Sequence, residues 1–277
     1  MSPVVVGVDD SEEGLRAVEW AAGEAERRRR PLHVLHAFIW PLLGAPLGPA
    51  PGGPPEGGLR HAAERVLAAA VERARALAPG VEVSAAMPES EPVAALLRHS
   101  HRAELVVVGS RGLGEVGGLL LGSVGARLGA EAACPVVVVR GPVTTGGPVV
   151  AAIADPGESG PGESEALLDF AFAHAARTAG TLMLAHVGAK GSQAGLPEEV
   201  LARWQERYPG VSIVQESLAG RPGKALTRAA SQASLLVVGS HHRHELSALM
   251  HGSVSQAVLH HATCPVAIIQ VRRPTGS

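Results

Sequence analysis

Five short apolar runs mark out the first half of the chain: Val4–Val8, Leu32–Ala37, Val81–Ala85, Leu105–Val108 and Val136–Val139. None alternates cleanly between apolar and polar positions, which is the pattern of strands covered by helices on both faces. Between them, Leu15–Arg28, Leu59–Ala76, Pro92–His99 and Ser123–Ala132 carry Ala, Leu and Arg at helical spacing, and Ser11 stands where it can cap the first helix. Strands and helices therefore alternate, and right-handed crossovers make a doubly wound parallel sheet of five strands flanked by helices the expected fold.

The pattern occurs twice. LVVVGS at 105–110 returns as LLVVGS at 235–240, Gly122-Ser123-Val124 as Gly252-Ser253-Val254, and Cys134-Pro135-Val136 as Cys264-Pro265-Val266, each displaced by 130 residues. His36 pairs with His186 at a displacement of 150, so the first copy holds about twenty extra residues between its second and fourth strands, most of them in the Pro/Gly-rich stretch Pro41–Gly58. Two tandem α/β domains follow, at 1–141 and 149–277. The linker at 142–148 falls in GPVTTGGP, whose residues break regular structure. The last strand of each copy, Val136–Val139 and Val266–Ile269, is expected at a sheet edge, where apolar strands are usually paired or covered.

Composition narrows the function. With 46% hydrophobic and 18% charged residues, 277 residues can fill two cores, and a net charge of −2 with the signs interspersed gives no footprint for nucleic acid or anionic lipid. No apolar run approaches the roughly 20 residues of a membrane span, and the chain begins on a strand without a leader pattern, so a cytoplasmic location is expected. The two cysteines, Cys134 and Cys264, occupy equivalent places before a strand and read as buried core thiols.

In open α/β sheets, ligands sit beyond the carboxyl ends of the strands, where helix N-termini attract anions. Gly109-Ser110-Arg111-Gly112, nine residues, then Gly122-Ser123 gives such a setting after the fourth strand, with Ser123 and Val124 opening a helix. Read alone, the loop suits either a phosphate chain or a tight turn before a capped helix, and Asp9 in DDS suits either a ligand or an N-terminal cap.

Taken together, the repeat and the run G-x2-G-x9-G-S formed by Gly109, Gly112, Gly122 and Ser123 resemble the ATP-binding branch of the universal stress protein family, in its tandem form, over nearly the whole chain. The resemblance implies a Rossmann-like, adenine-nucleotide α-hydrolase-like fold. It also implies an ATP site, with or without Mg, in which Asp9 meets the adenosine moiety and the Ala37 backbone bonds the adenine edge. Gly109, Arg111, Gly112, Gly122, Ser123 and Val124 would hold ribose and phosphates. In the second copy His242 stands where the second glycine belongs, so a weaker site is expected from Asp155, Val187, Gly239, Gly252, Ser253 and Val254, with either Ala154 or Asp155 opposite Asp9. Family edge strands imply a pseudo-dimer of the two repeats and a possible homodimer. Pro41–Gly58, whose Gly and Pro prevent regular structure, is expected to form a flap near the nucleotide.

Other motifs are set aside on context. Gly112-Leu113-Gly114-Glu115-Val116-Gly117 satisfies G-x-G-x-x-G but follows the fourth strand rather than the first, and no G-x4-G-K-(S/T) occurs, so neither a dinucleotide site nor a P-loop is expected. His241, His242, His244 and His251 match no structural zinc spacing, and Arg27–Arg30 read as a solvated helix end that complements the dipole. No catalytic set and no metal site are expected. The expected role is an adenine-nucleotide-responsive regulator in stress; a non-nucleotide scaffold and a weak ATPase or adenylating enzyme are the competing readings.

Overall fold

The computed structural model describes residues 1–38, 58–110, 123–141, 146–153, 163–187, 195–240 and 253–270. Two compact units divide the chain at Val139/Arg140.

In the first unit the strands are β1 (Val4–Gly7), β2 (Leu32–Leu35), β3 (Val83–Ala86), β4 (Leu105–Gly109) and β5 (Val136–Val139), and the helices are α1 (Glu12–Arg28), α2 (Leu59–Leu77), α3 (Pro92–Ser100) and α4 (Ser123–Glu131). The strands are all parallel in the order β3-β2-β1-β4-β5. Helices α1 and α2 pack together, as do α3 and α4. The strand core is apolar throughout: Val4, Val6, Leu32, Val34, Leu105, Val106, Val136 and Val137 are fully buried.

The second unit repeats this with β6 (Val149–Ile153), α5 (Glu163–Thr178), β7 (Thr181–Val187), α6 (Glu198–Arg207), β8 (Ser212–Leu218), α7 (Pro222–Ala229), β9 (Leu235–Ser240), α8 (Ser253–His261) and β10 (Val266–Gln270). Its order is β8-β7-β6-β9-β10, again parallel. Cys134 and Cys264 are buried, unbridged thiols.

Several boundaries differ from the sequence expectation for local reasons. Helix α1 starts at Glu12 rather than Leu15, because the Ser11 hydroxyl accepts the Gly14 amide and Glu12 and Glu13 fill the first turn, where acidic side chains complement the dipole. Strand β3 starts at Val83 rather than Val81, because the Val81 amide donates to the Ala78 carbonyl in a turn closing α2.

The arginine run is only in part the solvated helix end that was expected: Arg27 and Arg29 are exposed, but Arg28 is drawn into a buried network. Glu24 is fully buried on α1 and accepts from Arg27 at 3.1 Å and Arg28 at 2.6 Å. Arg28, with its side chain 7% exposed, also reaches Glu104 at 3.1 Å, and Arg30 pairs with Glu104 as well. Arg29 takes the left-handed conformation at the C-cap (φ 52°), which turns the chain toward β2. The run ties the end of α1 to the residue that precedes β4.

Candidate functional site

The strand order of the first unit creates a switch point. From β1 the chain moves outward through β2 and β3, then returns to the other side of β1 as β4 and β5. In open α/β sheets such a reversal of strand order is where ligands bind, beyond the carboxyl ends of the strands, here those of β1 and β4. Asp9, Ala37 and Gly109 stand at the ends of three adjacent strands, which at ordinary strand spacing spans about 10 Å.

Asp9 is held by the start of α1. Its Oδ1 accepts from the Ser11 amide at 3.1 Å and from the Ser11 hydroxyl, while that hydroxyl accepts from the Gly14 amide at 2.9 Å. Ser11 is thus the cap, and Asp9 orients the cap rather than serving as one. This needs glycine at 14, since a Cβ there would lie 2.6 Å from Asp9 Oδ1.

Ala37 lies where β2 leaves the ladder. Along β2, odd residues turn their amide and carbonyl toward β1 and even residues toward β3: Val4 and Val8 donate to Pro31 and Leu35, whereas the Leu32, His36 and Phe38 amides donate to Glu82, Ala86 and Pro88. Ala37 therefore faces β1. A regular ladder would give its N–H to the Val8 carbonyl, but that oxygen accepts from His36 Nδ1 at 2.8 Å. This contact ends β2 at Leu35, two residues before the expected Ala37, and leaves the Ala37 N–H without a hydrogen-bond partner among the described residues.

Gly109 ends β4, and its neighbour Ser110 donates its amide to Val139. A Cβ at 109 would lie 2.8 Å from the carbonyl carbon and oxygen of Glu13 and 3.1 Å from the Gly14 nitrogen. This glycine therefore lets the first turn of α1 lie against β4, a packing reason beside the ligand-approach reason expected from sequence. Ser123 opens α4, Val124 is half-buried, and no acidic residue occupies the first turn of that helix. The contrast with α1, whose first turn holds Glu12 and Glu13, leaves α4 the better anion acceptor of the two. Arg111, Gly112 and Gly122 lie outside the described residues.

In the second unit Val187 ends β7, Gly239 lies in β9, Ser253 opens α8, and Val254 is half-buried. The Ser255 hydroxyl donates to the Gly239 carbonyl at 3.2 Å, so the end of β9 is tied to the first turn of α8. β6 pairs Val149 with Leu182 and Leu235 as β1 pairs Val4 with Leu32 and Leu105. Five residues beyond Val4 is Asp9; five beyond Val149 is Ala154, with Asp155 one step further. Ala154, Asp155, His242, Gly252 and the histidines His241, His244 and His251 lie outside the described residues, as does the Pro41–Gly58 stretch up to residue 57.

Comparison with known proteins identifies the lineage of this arrangement. The model of the universal stress protein family matches residues 1–140 and 155–270, covering both repeats. The chain belongs to the universal stress protein family. A universal stress protein of Mycobacterium tuberculosis is 33% identical over 293 residues, covering 96% of each chain, and one of Mycolicibacterium smegmatis is 34% identical over 295 residues, covering 97% of each. A universal stress protein from Archaeoglobus fulgidus, 20% identical, has the same fold with a TM-score of 0.72 over 97% of this chain and 96% of its own. The doubly wound, Rossmann-like α/β fold expected from the strand pattern is the fold of the family. No helix among the described residues is long and apolar enough to cross a membrane.

The Ser11 cap was read from the sequence, but its hold on Asp9, the role of His36 and the buried Glu24 were not. The first had a signal, an Asp two residues before a Ser with Gly three beyond it; the other two depend on which residues the fold brings together.

Proposed function

We propose that the first unit binds an adenine nucleotide, ATP by preference and with or without Mg, and acts as a nucleotide-responsive regulator in the cytoplasm. The observation that carries this reading is the N–H of Ala37, unused among the described residues, at the strand end next to Asp9, together with the acid-free start of α4 after β4. A backbone N–H and C=O side by side match the acceptor N1 and donor N6 of adenine, and a carboxylate suits ribose hydroxyls. The first turn of α4, with the glycine loop from Gly109 through Arg111, Gly112 and Gly122, supplies amides and Ser123 for phosphates.

The second unit takes part more weakly. Ala154 in the place of Asp9 and His242 in the place of Gly112 remove a carboxylate and a close backbone approach, leaving Val187, Gly239, Gly252, Ser253 and Val254 as the remnant, with Asp155 one residue out of step. Binding rather than turnover is the proposed activity. Self-association, within the chain or between two chains, belongs to the same proposal and is tested by sedimentation with and without ATP.

Titration calorimetry with ATP tests the reading, beside a Gly122→Val variant. About one ATP per chain, lost in the variant, is expected because a branched side chain blocks backbone approach to phosphate. Absence of binding in the wild type refutes it.

A further inference from the structure

We propose that His36 is a positioning residue that makes the first unit select adenine over guanine; the inference rests on the nucleotide reading above. Its basis is a substitution in the hydrogen-bond ladder between β1 and β2. The sequence from Val4→Pro31 to Val8→Leu35 is a regular parallel ladder, and its next rung would be the Ala37 N–H on the Val8 carbonyl. His36 takes that acceptor instead, Nδ1 to oxygen at 2.8 Å. Since the partner is a carbonyl, Nδ1 carries the proton and the imidazole is the donor.

Two consequences follow from this one contact. The Val8 carbonyl, immediately before Asp9, is satisfied without help from the chain at Ala37. The Ala37 N–H, facing the β1 side where β1 has ended, is left among the described residues as a donor beside its own carbonyl acceptor. Adenine presents the complementary pair, an acceptor at N1 and a donor at N6. Guanine presents a donor at N1 and an acceptor at O6, so both contacts are mismatched. A site that offers buried polar groups to one partner rejects the analogue that leaves them unpaired. Without the imidazole, the Ala37 N–H closes the ladder onto Val8 and the discriminating donor is withdrawn from the ligand. The hydrogen bond of His36 is to the Val8 carbonyl beside Ala37, so its effect is expected at the base.

The test is competitive calorimetry with ATP and GTP on the full chain for wild type, His36→Leu and His36→Asn. Asparagine places its side-chain amide where Nδ1 stands and can donate to the Val8 carbonyl; leucine cannot. Wild type is expected to prefer ATP. In His36→Leu the ATP/GTP affinity ratio falls by about tenfold, the worth of a hydrogen bond that must otherwise be left unpaired, with GTP affinity little changed. His36→Asn restores most of the ratio. An unchanged ratio in His36→Leu overturns the inference, and so does an equal loss of both nucleotides that tracks a lower melting temperature, which is what a purely structural histidine gives. Failure of wild type to bind either nucleotide instead overturns the parent reading, and this one with it.

Discussion

Replacing Gly109 by alanine separates two reasons for a glycine at the end of β4. If the residue is glycine only so that a ligand can approach, the substitution harms binding and leaves the empty protein intact. The structure gives a different expectation, because the added methyl would lie 2.8 Å from the carbonyl carbon and oxygen of Glu13 and 3.1 Å from the Gly14 nitrogen. Carbon contacts are comfortable at about 3.5–4.0 Å, so the start of α1 and the end of β4 must part by roughly 0.5–1 Å. Backbone atoms form the obstacle, and no rotamer change relieves it. Overpacking of this kind costs about 1–3 kcal/mol. Native-state hydrogen exchange of the β1 and β4 amides reads the first unit specifically, and the expected loss appears as exchange about 5- to 150-fold faster through the opening reaction. ATP affinity falls as well, since Asp9 is fixed by the same turn through Ser11 and Gly14. Unchanged exchange combined with lost ATP binding would refute the packing argument and return Gly109 to the ligand alone.

The remaining predictions concern buried ionisable groups. Glu24→Ala leaves Arg28 buried without its nearest carboxylate and is expected to cost about 3–5 kcal/mol in chemical denaturation, whereas Arg27→Ala removes a half-exposed side chain and leaves Glu24 paired with Arg28, and costs less than about 1 kcal/mol; similar values for the two would show that the network is not an anchor. Burial pushes the Cys264 thiol up from 9.0 to about 11. The folded state therefore holds the proton more tightly than the unfolded chain, so this stabilisation is complete below pH 9 and is lost as pH rises through 11. Thermal melts of wild type and Cys264→Ala should differ by a constant amount below pH 9 and shift in the variant's favour as pH rises through that window, and a constant offset at all pH values would discount the thiol.

Much of the fold was legible because its strands are covered on both faces. Runs such as LVVVG and VVVV cannot face water on either side, and the 130-residue displacement fixed the duplication before any motif was interpreted. Boundaries were less legible where a side chain, not a propensity, decides them. His36 looks like a continuation of β2 until its imidazole is seen to displace a backbone donor, and four consecutive arginines look solvated until Glu24 and Glu104 are brought to them from 76 residues apart in the Arg28–Glu104 case. Within the candidate site, the glycine spacing was readable as a pattern, but which glycine serves helix packing needed the position of α1. The counterpart of Asp9, Ala154 or Asp155, lies past the end of the described strand β6, where the register against β7 and β9 stops.

The two repeats also show which features the fold itself requires. At the 150- and 130-residue displacements, Ala22, Ala74 and Ala78 of the first unit correspond to Phe172, Trp204 and Tyr208 of the second. The three alanines are buried where α1 meets α2, while the three aromatic rings stack at centroid distances of 5.2–6.1 Å against α5. Glu24 corresponds to His174, which is also buried but stacks on Phe170 at 6.4 Å. The same sheet order is therefore compatible with a small-residue contact or an aromatic one, and with an ion network or a histidine in the same place. The second unit keeps the order β8-β7-β6-β9-β10 although its sequence sets either Ala154 or Asp155 against Asp9, just beyond its described strand β6. In the proposed nucleotide reading, the Asp9 carboxylate held through Ser11 at this switch point serves the ligand, and an Asp9→Ala variant that keeps its stability but loses ATP binding is the outcome that reading expects.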